Sequence, residues 1–357
     1  MVSESIAFPK KESARFCLVG SGKILTSFAK MLLENDFAPP VLVTWKKSLH
    51  ERDVHLLRGN SNYENIFEFA AINKLCLIEA NNINDQSLIE KLKSKNVNII
   101  FSISSRWIFK QPIIDAFNGL VINIHGGYLP RDKGSVVYSK ILNGASELGV
   151  TIHLISLSVD AGHILFRVKK NIDISSSSID KITTVIQNLS TDLLNKFLDK
   201  LSKGNALTCT PQNNDDGIYM PQPYTELNGF IDWKWKLRHI ESFIRAFGRP
   251  MPGAATFYKD KKIKVLEAFC ESIDFQFHPL YFGRIVNITK LGYAKIATED
   301  GLLVITKIES DGCEILPNEL LKAPNILYTP SDVLERARIE SKPSLQMDPI
   351  SKLPTSK

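Results

Sequence analysis

The chain has 357 residues, 44% of them hydrophobic, with a net charge of +6, and this length suffices for two domains with sizeable cores. No apolar run approaches the roughly 18 residues that span a membrane, and the first residues lack the apolar segment of a signal or transit peptide. The charge is mild and dispersed, so it permits an anionic substrate without demanding nucleic acid, and we expect a cytoplasmic protein with no membrane partner.

The first part of the chain alternates between apolar runs and helical patterns. RFCLVG meets a glycine turn and then LTSFAKMLLEN, which predicts a strand, a turn and a helix. Further strands are predicted at VLVTW, LCLIEA, VNIIFSI, LVINI, GVTIHLISL and HILFRVK, and a long helix over 178–203. Because these runs are apolar on both faces, they predict an α/β domain with a Rossmann-like parallel sheet covered by helices, over residues 1–204.

The second part of the chain has a different pattern. Residues 205–228 are polar and rich in Pro, Asn and Gly, which is typical of a linker. A helix at WKLRHIESFIRAF then precedes short apolar runs divided by turn residues, which predict a smaller β-rich, OB-like domain over 229–329. Residues 330–357 lack apolar periodicity and are predicted to be disordered.

Five cysteines are scattered along the chain and never stand in CxxC spacing. They are Cys17, Cys76, Cys209, Cys270 and Cys313. The odd number and wide spacing argue against a disulfide framework and against a zinc site, so reduced structural thiols are expected.

The first glycine turn resembles a dinucleotide fingerprint only in part. Gly20 and Gly22 follow a strand and open a helix, but Leu25 stands where the third glycine belongs, and the second strand ends in Trp45 and Lys46 without an acidic residue to hold a ribose. A nicotinamide cofactor (NAD) is therefore not expected. Two interpretations stay open: a plain tight turn, or a helix N-terminus that receives a substrate phosphate at Gly20, Ser21, Gly22 and Lys23.

The stretch NIHGGYLP places polar side chains at the end of the strand LVINI. Asn123 and His125 share one face because side chains alternate along a strand, so an amide and an imidazole can converge on one reacting atom. Gly126 and Gly127 permit a sharp exit with unusual dihedrals and a close approach of a ligand. Asp160, in SVDAGHILF, precedes a further glycine turn and is a candidate partner. A single histidine is more often structural than functional. The hypothesis of a functional site therefore rests on Asn123, His125 and Asp160 together.

The span from NIHGGYLPRDKG to SVDAGHI resembles the formyltransferases that use formyltetrahydrofolate. Their pattern is Asn-x-His, Leu-Pro with a basic-Gly pair, Asn-Gly, Gly-Val-Thr-x-His and Asp-x-Gly, in this order. The resemblance continues through GFIDWKWKLRHIESFIRAFGRPMPG and GYAKIATEDGLLVITKI, which are similar to the C-terminal part of methionyl-tRNA and sugar formyltransferases. Lys133 replaces the usual Arg before Gly134, and Val137 stands where Pro is common.

The resemblance implies a catalytic set of Asn123, His125 and Asp160, formyltetrahydrofolate as cosubstrate, and no metal. Two regions would bind the folate. They are the loop with Ser105, Arg106, Trp107, Ile108 and Phe109, in which Trp107 and Ile108 line the slot, and the wall with Leu157, Ser158 and Val159. Substrate contacts are assigned to Gly20–Lys23, Gly126, Gly127, Lys133 and His153, although His153 is also compatible with a structural role.

The acceptor stays open between alternatives. The favoured one is the primary amine of a small molecule, above all an amino-sugar nucleotide, because the lysines of KDKKIK alternate as in a solvated strand and form no broad basic surface. Transfer RNA is the second candidate. A formyltetrahydrofolate hydrolase would use the same residues on water, and a non-catalytic binding module would lose the constellation. A homodimer stays an open alternative to a monomer.

Overall fold

The computed structural model describes residues 4–340 except residues 176 and 205. The strands of the first domain are β1 (Glu4–Ile6), β2 (Phe16–Gly20), β3 (Val41–Thr44), β4 (Leu77–Glu79), β5 (Ile99–Ile103), β6 (Val121–His125), β7 (Asp132–Gly134), β8 (Glu147–Leu154) and β9 (Ile164–Asn171). Its helices are α1 (Lys23–Glu34), α2 (Glu51–Leu57), α3 (Ile66–Ile72), α4 (Gln86–Ser94), α5 (Gln111–Ala116), α6 (Val136–Leu142) and α7 (Ile179–Ser202).

Seven of these strands form one sheet in the order β4-β3-β2-β5-β6-β8-β9. The five strands from β4 to β6 are parallel, as the apolar runs predict, whereas β8 and β9 are antiparallel additions at one edge. The sheet is therefore mixed rather than wholly parallel. The connection over 155–163 is too short for the crossover helix that parallel neighbours need, so β9 runs antiparallel to β8.

The core of this domain follows from the apolar runs. Every residue of β5 is buried, and α1 and α7 cover one face of the sheet with side chains that include Phe28 and Phe197. The ring of Phe101 lies between these two, with centroids 4.9 Å and 5.2 Å away. The predicted α/β class is confirmed, and the parallel strands bring several loops to one edge of the sheet.

The second domain is an antiparallel sheet with one long helix against it. Its elements, with those of the connecting segment, are β10 (Leu207–Cys209), β11 (Ile218–Met220), α8 (Thr225–Asn228), α9 (Leu237–Phe247), β12 (Ala254–Tyr258), β13 (Lys261–Glu271), β14 (Ile285–Ile288), β15 (Ala294–Thr298), β16 (Gly301–Ser310), β17 (Cys313–Ile315), α10 (Pro317–Leu320), β18 (Leu327–Tyr328) and α11 (Ser331–Ile339). The sheet order is β14-β15-β16-β13-β12-β18, and β17 pairs with β16. This confirms the predicted β-rich second domain.

The segment 205–228, predicted to be a linker, contains ordered strands. β10 pairs antiparallel with β1, and β11 pairs parallel with β7. These pairs satisfy backbone groups that a free linker would leave to water. The segment thus contacts the N-terminal strand on one side and the loop after β6 on the other.

The prediction of disorder from residue 330 onward does not hold for α11. Nδ2 of Asn228 donates to the carbonyl oxygens of Ala337 and Glu340, each at 2.8 Å, so the helix is held against the end of α8. Residues 341–357, which share that prediction, lie outside the described part of the chain.

Candidate active site

Asn123 and His125 lie within the last three residues of β6, which pairs with the antiparallel strand β8. The register places Asn123 opposite His153 and His125 opposite Thr151. The amide nitrogen of Asn123 lies 3.1 Å from Nε2 of His153. The pairing of β6 with β8 therefore brings a second histidine to the side chains that the sequence singles out.

Asp160 reaches the same cluster from the loop between β8 and β9. Its Oδ2 lies 3.6 Å from Nδ1 of His125, and its Oδ1 lies 3.7 Å from Nε2 of His153. These separations are longer than direct hydrogen bonds. The carboxylate therefore interacts with the two rings through its negative charge. The backbone N–H of Gly134 donates to Oδ2 at 2.9 Å, which fixes the carboxylate in place.

The turn that presents Asp160 has an unusual backbone. Asp160 has a φ of 51°, a left-handed conformation that Asp tolerates better than most residues. Gly162 follows two residues later, and a Cβ there would lie 1.8 Å from the carbonyl oxygen of Leu154. The Asp-x-Gly spacing is thus explained by the geometry that folds this loop back onto β8.

His153 is buried, and both of its ring nitrogens have protein partners. Nδ1 lies 2.8 Å from the carbonyl oxygen of Leu154, which can only accept, so the proton of the neutral ring is on Nδ1 and Nε2 accepts from Asn123. Burial is the main cause that lowers the pKa of His153 to about 4, and nearby His125 adds to it, although Asp160 opposes the shift. His153 is therefore neutral at pH 7.

This geometry suits a residue that orients Asn123. It agrees with the structural alternative that the sequence left open for His153, and substrate contact by His153 stays a prediction.

His125 is held by the loop that follows β6. Its Nε2 lies 2.6 Å from the carbonyl oxygen of Asp132, so Nε2 carries a hydrogen and donates it. Nδ1 is then the nitrogen that can gain or lose a proton, and it is the one that faces Asp160. The backbone of Asp132 thereby fixes the hydrogen on Nε2 and leaves Nδ1 of His125 facing Asp160.

The loop around Asp132 is itself fixed by buried charge. Its carboxylate lies 2.8 Å from Nζ of Lys140, a lysine that is only 5% exposed. Burial alone would raise the pKa of Asp132, but the hydrogen bond and the charge of Lys140 outweigh it and hold that pKa below its usual range. The ion pair stiffens the strand that supplies both the Asp132 carbonyl and the Gly134 amide.

Position 127 requires a glycine because neighbouring atoms lie too close to its backbone for a side chain. A Cβ at Gly127 would lie 2.6 Å from Nε2 of His125 and 2.6 Å from the carbonyl oxygen of Asp132. Neither Gly126 nor Gly127 has a positive φ, so the unusual dihedrals that the sequence suggested are not found. The space beside Gly127 is occupied by the catalytic candidate His125, and substrate contact by Gly126 and Gly127 stays a prediction.

The loop 104–109 follows β5 and contributes two of its side chains to the core. Trp107 and Phe109 are buried in the core, and Nε1 of Trp107 donates to the carbonyl oxygen of Asn81 at 3.1 Å. The Trp107 indole therefore packs inside the domain, and its predicted contact with the folate stays a prediction. Ile108 is 36% exposed and remains available.

Arg106 and Ser105 shape the same loop. Arg106 lies over the ring of Trp45 at 4.6 Å and pairs with Asp53 at 2.8 Å. The hydroxyl of Ser105 accepts from the backbone N–H of Trp107 at 3.2 Å. These contacts give the loop a defined conformation, and folate binding by it stays a prediction.

A cleft of about 530 Å³ lies beside the predicted second wall. Its lining includes Leu157 and Ser158, whereas Val159 is exposed but is not part of it. Gln111 and Ile114 of α5 close the other side. Asn123, His125 and Asp160 do not line this cleft, although Ala161 and Gly162, directly after Asp160, do.

The first glycine turn lies at the carboxyl end of β2, beside the carboxyl end of β5. Gly20 has a φ of +134°, and a Cβ there would lie 1.9 Å from the carbonyl oxygen of Ile103. Gly22 is the N-cap of α1, and Nζ of Lys23 lies 3.9 Å from a carboxylate oxygen of Glu64. Gly20 is therefore explained by strand packing, and phosphate binding at this turn stays a prediction.

Lys133 lies in β7, where its backbone pairs with Tyr219 of β11. Its side chain runs along Gly217, so that a Cβ on this glycine would lie 2.6 Å from Cε of Lys133. The segment between the domains therefore supports the loop that contributes Gly134 to the site.

Sequence reasoning missed three groups that hold the site together. They are the carbonyl of Asp132, the amide of Gly134, and Gln212, whose Nε2 donates to the carbonyl oxygen of Asp160 at 3.2 Å. The first two lie in the RDKG stretch, which was noted only for its basic residue. Every residue has these backbone groups, so the sequence does not reveal which of them contact a functional side chain.

Comparisons with known proteins agree with this architecture. Residues 18–198 match the family model described as formyl transferase, and residues 225–323 match the model of the formyl transferase C-terminal domain. A methionyl-tRNA formyltransferase of Fusobacterium nucleatum is 26% identical over 269 residues, which are 73% of this chain and 84% of that protein. The bifunctional polymyxin resistance protein ArnA of Wigglesworthia glossinidia brevipalpis is 32% identical over 196 residues, which are 53% of this chain and 29% of that protein.

Solved structures share the fold. The N-formyltransferase from Helicobacter canadensis, in complex with folinic acid and dTDP-3-aminofucose, has a TM-score of 0.62 and 21% identity, and covers 82% of this chain and 98% of its own. The sugar 3N-formyltransferase WlaRD has a TM-score of 0.60 and 20% identity, with 82% and 97% coverage. Within residues 4–340, leaving aside the two gaps, no helix has the length and apolar character to cross a membrane.

Proposed function

Because this chain belongs to the formyl transferase family, we propose that it transfers the formyl group of formyltetrahydrofolate to the primary amine of an amino-sugar nucleotide. The observation that supports the reaction is the cluster of Asn123, His125 and Asp160. His125 lies beside the Asp160 carboxylate, and Asn123 is linked to the same carboxylate through His153. Formyl transfer needs a hydrogen-bond donor for an oxyanion and a group that moves a proton, and this cluster contains both.

Asn123 is suited to stabilise the oxyanion of the tetrahedral intermediate. Its amide nitrogen carries two hydrogens, and one of them is donated to Nε2 of His153. That bond fixes which end of the amide is nitrogen and leaves the second N–H for the developing charge. A donor that is already oriented costs no rearrangement when the charge appears.

His125 and Asp160 are suited to move the proton. The attacking amine loses a proton as its bond to the formyl carbon forms, and the folate nitrogen gains one as its bond to that carbon breaks. Nδ1 of His125 can take up and return this proton, directly or through a water, because Nε2 is tied to Asp132. The negative charge of Asp160 at 3.6 Å stabilises the imidazolium that forms in between.

The folate is assigned to the surfaces on either side of this cluster. Ile108 on one side, and Leu157 and Ser158 on the other, are accessible apolar and polar groups of the kind that line small-molecule sites. Backbone groups of 104–109 would meet the pterin. No metal is needed for these steps, because the amide and the imidazole supply the donor and the proton transfer.

The charge balance of the second domain favours a small acceptor. Residues 225–323 contain 14 Lys and Arg against 13 Asp and Glu. Several of these cations are paired on the sheet with carboxylates, as in Lys264 with Glu309, Lys295 with Glu271 and Lys307 with Glu267. A transfer RNA would require a surface that neutralises many phosphates, and a balanced, paired surface is poorly suited to that.

Transfer RNA stays the second candidate, because the curated relative at 26% identity is a methionyl-tRNA formyltransferase. Hydrolysis of formyltetrahydrofolate is a third outcome, since water could take the place of the amine at the same residues. All three reactions would use the same site. They differ in the nucleophile that attacks the formyl group, which is the amine of a sugar nucleotide, the amine of a charged transfer RNA, or water.

The test is a formyl-transfer assay with formyltetrahydrofolate and a panel of acceptors, namely amino-sugar nucleotides and initiator transfer RNA charged with methionine. We expect turnover with an amino-sugar nucleotide and none with the charged transfer RNA. Turnover confined to the transfer RNA would replace the acceptor proposed here. Release of formate without any acceptor would indicate the hydrolase, and no turnover of formyltetrahydrofolate under any condition would contradict the proposed reaction.

A further inference from the structure

Three side chains of types that often bind transition metals meet at the end of the Asp160 loop. They are Glu4 of β1, His163 just before β9, and Cys209 of β10. Nδ1 of His163 lies 3.8 Å from a carboxylate oxygen of Glu4 and 3.7 Å from Sγ of Cys209, and the three atoms all lie within 4.8 Å of one another. None of them belongs to the cluster of Asn123, His125 and Asp160.

We propose that Glu4, His163 and Cys209 bind one Zn²⁺ ion, which joins the N-terminal strand, the segment between the domains and the loop after Asp160. A thiolate, an imidazole and a carboxylate are the usual protein ligands of zinc. Zinc bonds of about 2.0–2.3 Å place neighbouring ligand atoms of a tetrahedral site about 3.5 Å apart. The two separations at His163 exceed that value by only a few tenths of an ångström.

The backbone explains how residues so distant in sequence arrive together. β1 and β10 are antiparallel, with Glu4 directly opposite Cys209 in the register. Thr210, next to Cys209, forms a bridge with Ile164, next to His163. Two backbone pairings therefore hold the three Cα positions, and only side-chain rotations are needed to close the site.

Exposure differs among the three groups in a way that suits entry of an ion. Cys209 is buried, His163 is partly exposed, and the Glu4 side chain is 68% exposed. An ion can approach past Glu4, and a water would complete four ligands. On binding, the thiol proton of Cys209 leaves to solvent as the sulfur–metal bond forms, while neutral Nδ1 and the Glu4 carboxylate each donate a lone pair. No redox step is involved.

The consequence would be structural. His163 also lines the cleft beside Leu157, and it lies three residues after Asp160. An ion bound there would restrain β1 and the start of the segment between the domains, and with them one boundary of the Asp160 loop. The expected effects are a higher Tm and slower hydrogen exchange in residues 4–6 and 207–209.

The experiment uses the reduced, metal-free full chain titrated with Co²⁺ and then with Zn²⁺. We expect one equivalent of Co²⁺ with a thiolate-to-cobalt charge-transfer band and the strong visible absorption of a tetrahedral site, displaced by Zn²⁺. Cys209→Ser should lose the charge-transfer band, and Glu4→Gln and His163→Gln should weaken binding at least about tenfold, because each removes a ligand. Cys270→Ser, at an exposed cysteine outside the cluster, is the matched control and should bind like wild type.

Several results would overturn the proposal. They are the absence of the charge-transfer band in wild type, its persistence in Cys209→Ser, its loss in Cys270→Ser, or unchanged affinity in both the Glu4 and the His163 variants. Because Cys209 is buried, circular dichroism of each metal-free variant accompanies the titration. The Glu4 and His163 variants, at accessible positions, decide the question if Cys209→Ser does not fold.

Discussion

The amide of Asn123 donates to Nε2 of His153 across 3.1 Å, and the opposite nitrogen of that ring donates to the carbonyl oxygen of Leu154 at 2.8 Å. The chain of two bonds starts at a backbone group and ends at the side chain proposed to stabilise the oxyanion. Burial keeps the ring neutral, which is the state that can accept from Asn123. We therefore propose that His153 positions the side chain of Asn123.

Replacing His153 by Leu should lower kcat and leave KM for both substrates nearly unchanged. The amide of Asn123 would lose its acceptor and with it its fixed orientation, which matters most when the oxyanion forms. We expect a loss of about 10- to 100-fold, less than the roughly 100- to 1,000-fold that removal of an oxyanion donor costs. Steady-state kinetics of His153→Leu, His153→Gln and Asn123→Ala test this.

Glutamine is the matched control, because its side-chain oxygen can replace Nε2 as an acceptor. Partial recovery of kcat in His153→Gln relative to His153→Leu supports positioning. Equal losses in the two variants, or a rise in KM with unchanged kcat, would contradict it.

Replacing His125 by Ala should abolish transfer while the fold remains, because the core lies elsewhere. Loss of a general acid–base group costs about 100- to 10,000-fold in rate. Asp160→Asn should cost less, since the amide oxygen can still accept from Gly134 while the negative charge beside Nδ1 is lost. Turnover and circular dichroism are measured on the same preparations. Wild-type turnover in His125→Ala would exclude this residue from the chemistry.

Acidification should destabilise the fold as the pH falls from about 6.5 to about 4. Burial, as the main cause, lowers the pKa of both His50 and His153 to about 4, from an ordinary value of 6.5. The unfolded chain therefore binds protons in this window before the folded chain does, so stability is complete above 6.5 and is lost towards 4. The contribution of His153 is on the order of 3 kcal/mol.

Urea unfolding at several pH values measures this slope. The slope should decrease in His153→Gln and stay as in wild type in His239→Gln, which changes an exposed histidine. An identical slope in the His153 variant would show that this ring does not resist protonation in the folded state.

The sequence predicted those parts of the site that depend on local patterns. The helix α7, from Ile179 to Ser202, was predicted over 178–203 because its apolar positions recur with helical spacing. Strand alternation was enough to place Asn123 and His125 on one face. The meeting of Asn123 with His153 could not be predicted from the alternation alone, because it depends on the register between β6 and β8.

Other features lack any local signal. β11 pairs in parallel with β7, although the two segments are far apart in the chain and β7 is the polar, three-residue run DKG. The burial of Trp107 could not be predicted either, because an apolar residue in a loop can pack inside the domain or face a ligand. Burial and backbone partners decide such cases, and both are properties of the folded chain.

A folate analogue without the formyl group should slow hydrogen exchange in 104–109 and in 155–159. These segments carry Ile108 on one side of the site and Leu157 and Ser158 on the other, and a bound pterin would restrict the opening that exchange requires. Residues 313–315, in β17 of the second domain, serve as the internal reference. Protection of neither segment would remove the proposed folate surface, and protection of only one would confine it to that side.

Acceptor affinity should depend only weakly on salt. Each neutralised phosphate adds roughly 0.7–0.9 to the slope of log affinity against log salt, so a sugar nucleotide with two phosphates and a transfer RNA with many contacts predict clearly different slopes. The second domain, with 14 cations against 13 anions in residues 225–323, offers no long track of unbalanced positive charge. The measurement is the acceptor KM, or direct binding, from low to physiological salt with whichever acceptor shows turnover. A slope of about one or two phosphate contacts supports the small acceptor, whereas a steep slope with turnover on charged transfer RNA places the chain with the transfer-RNA enzymes of its family.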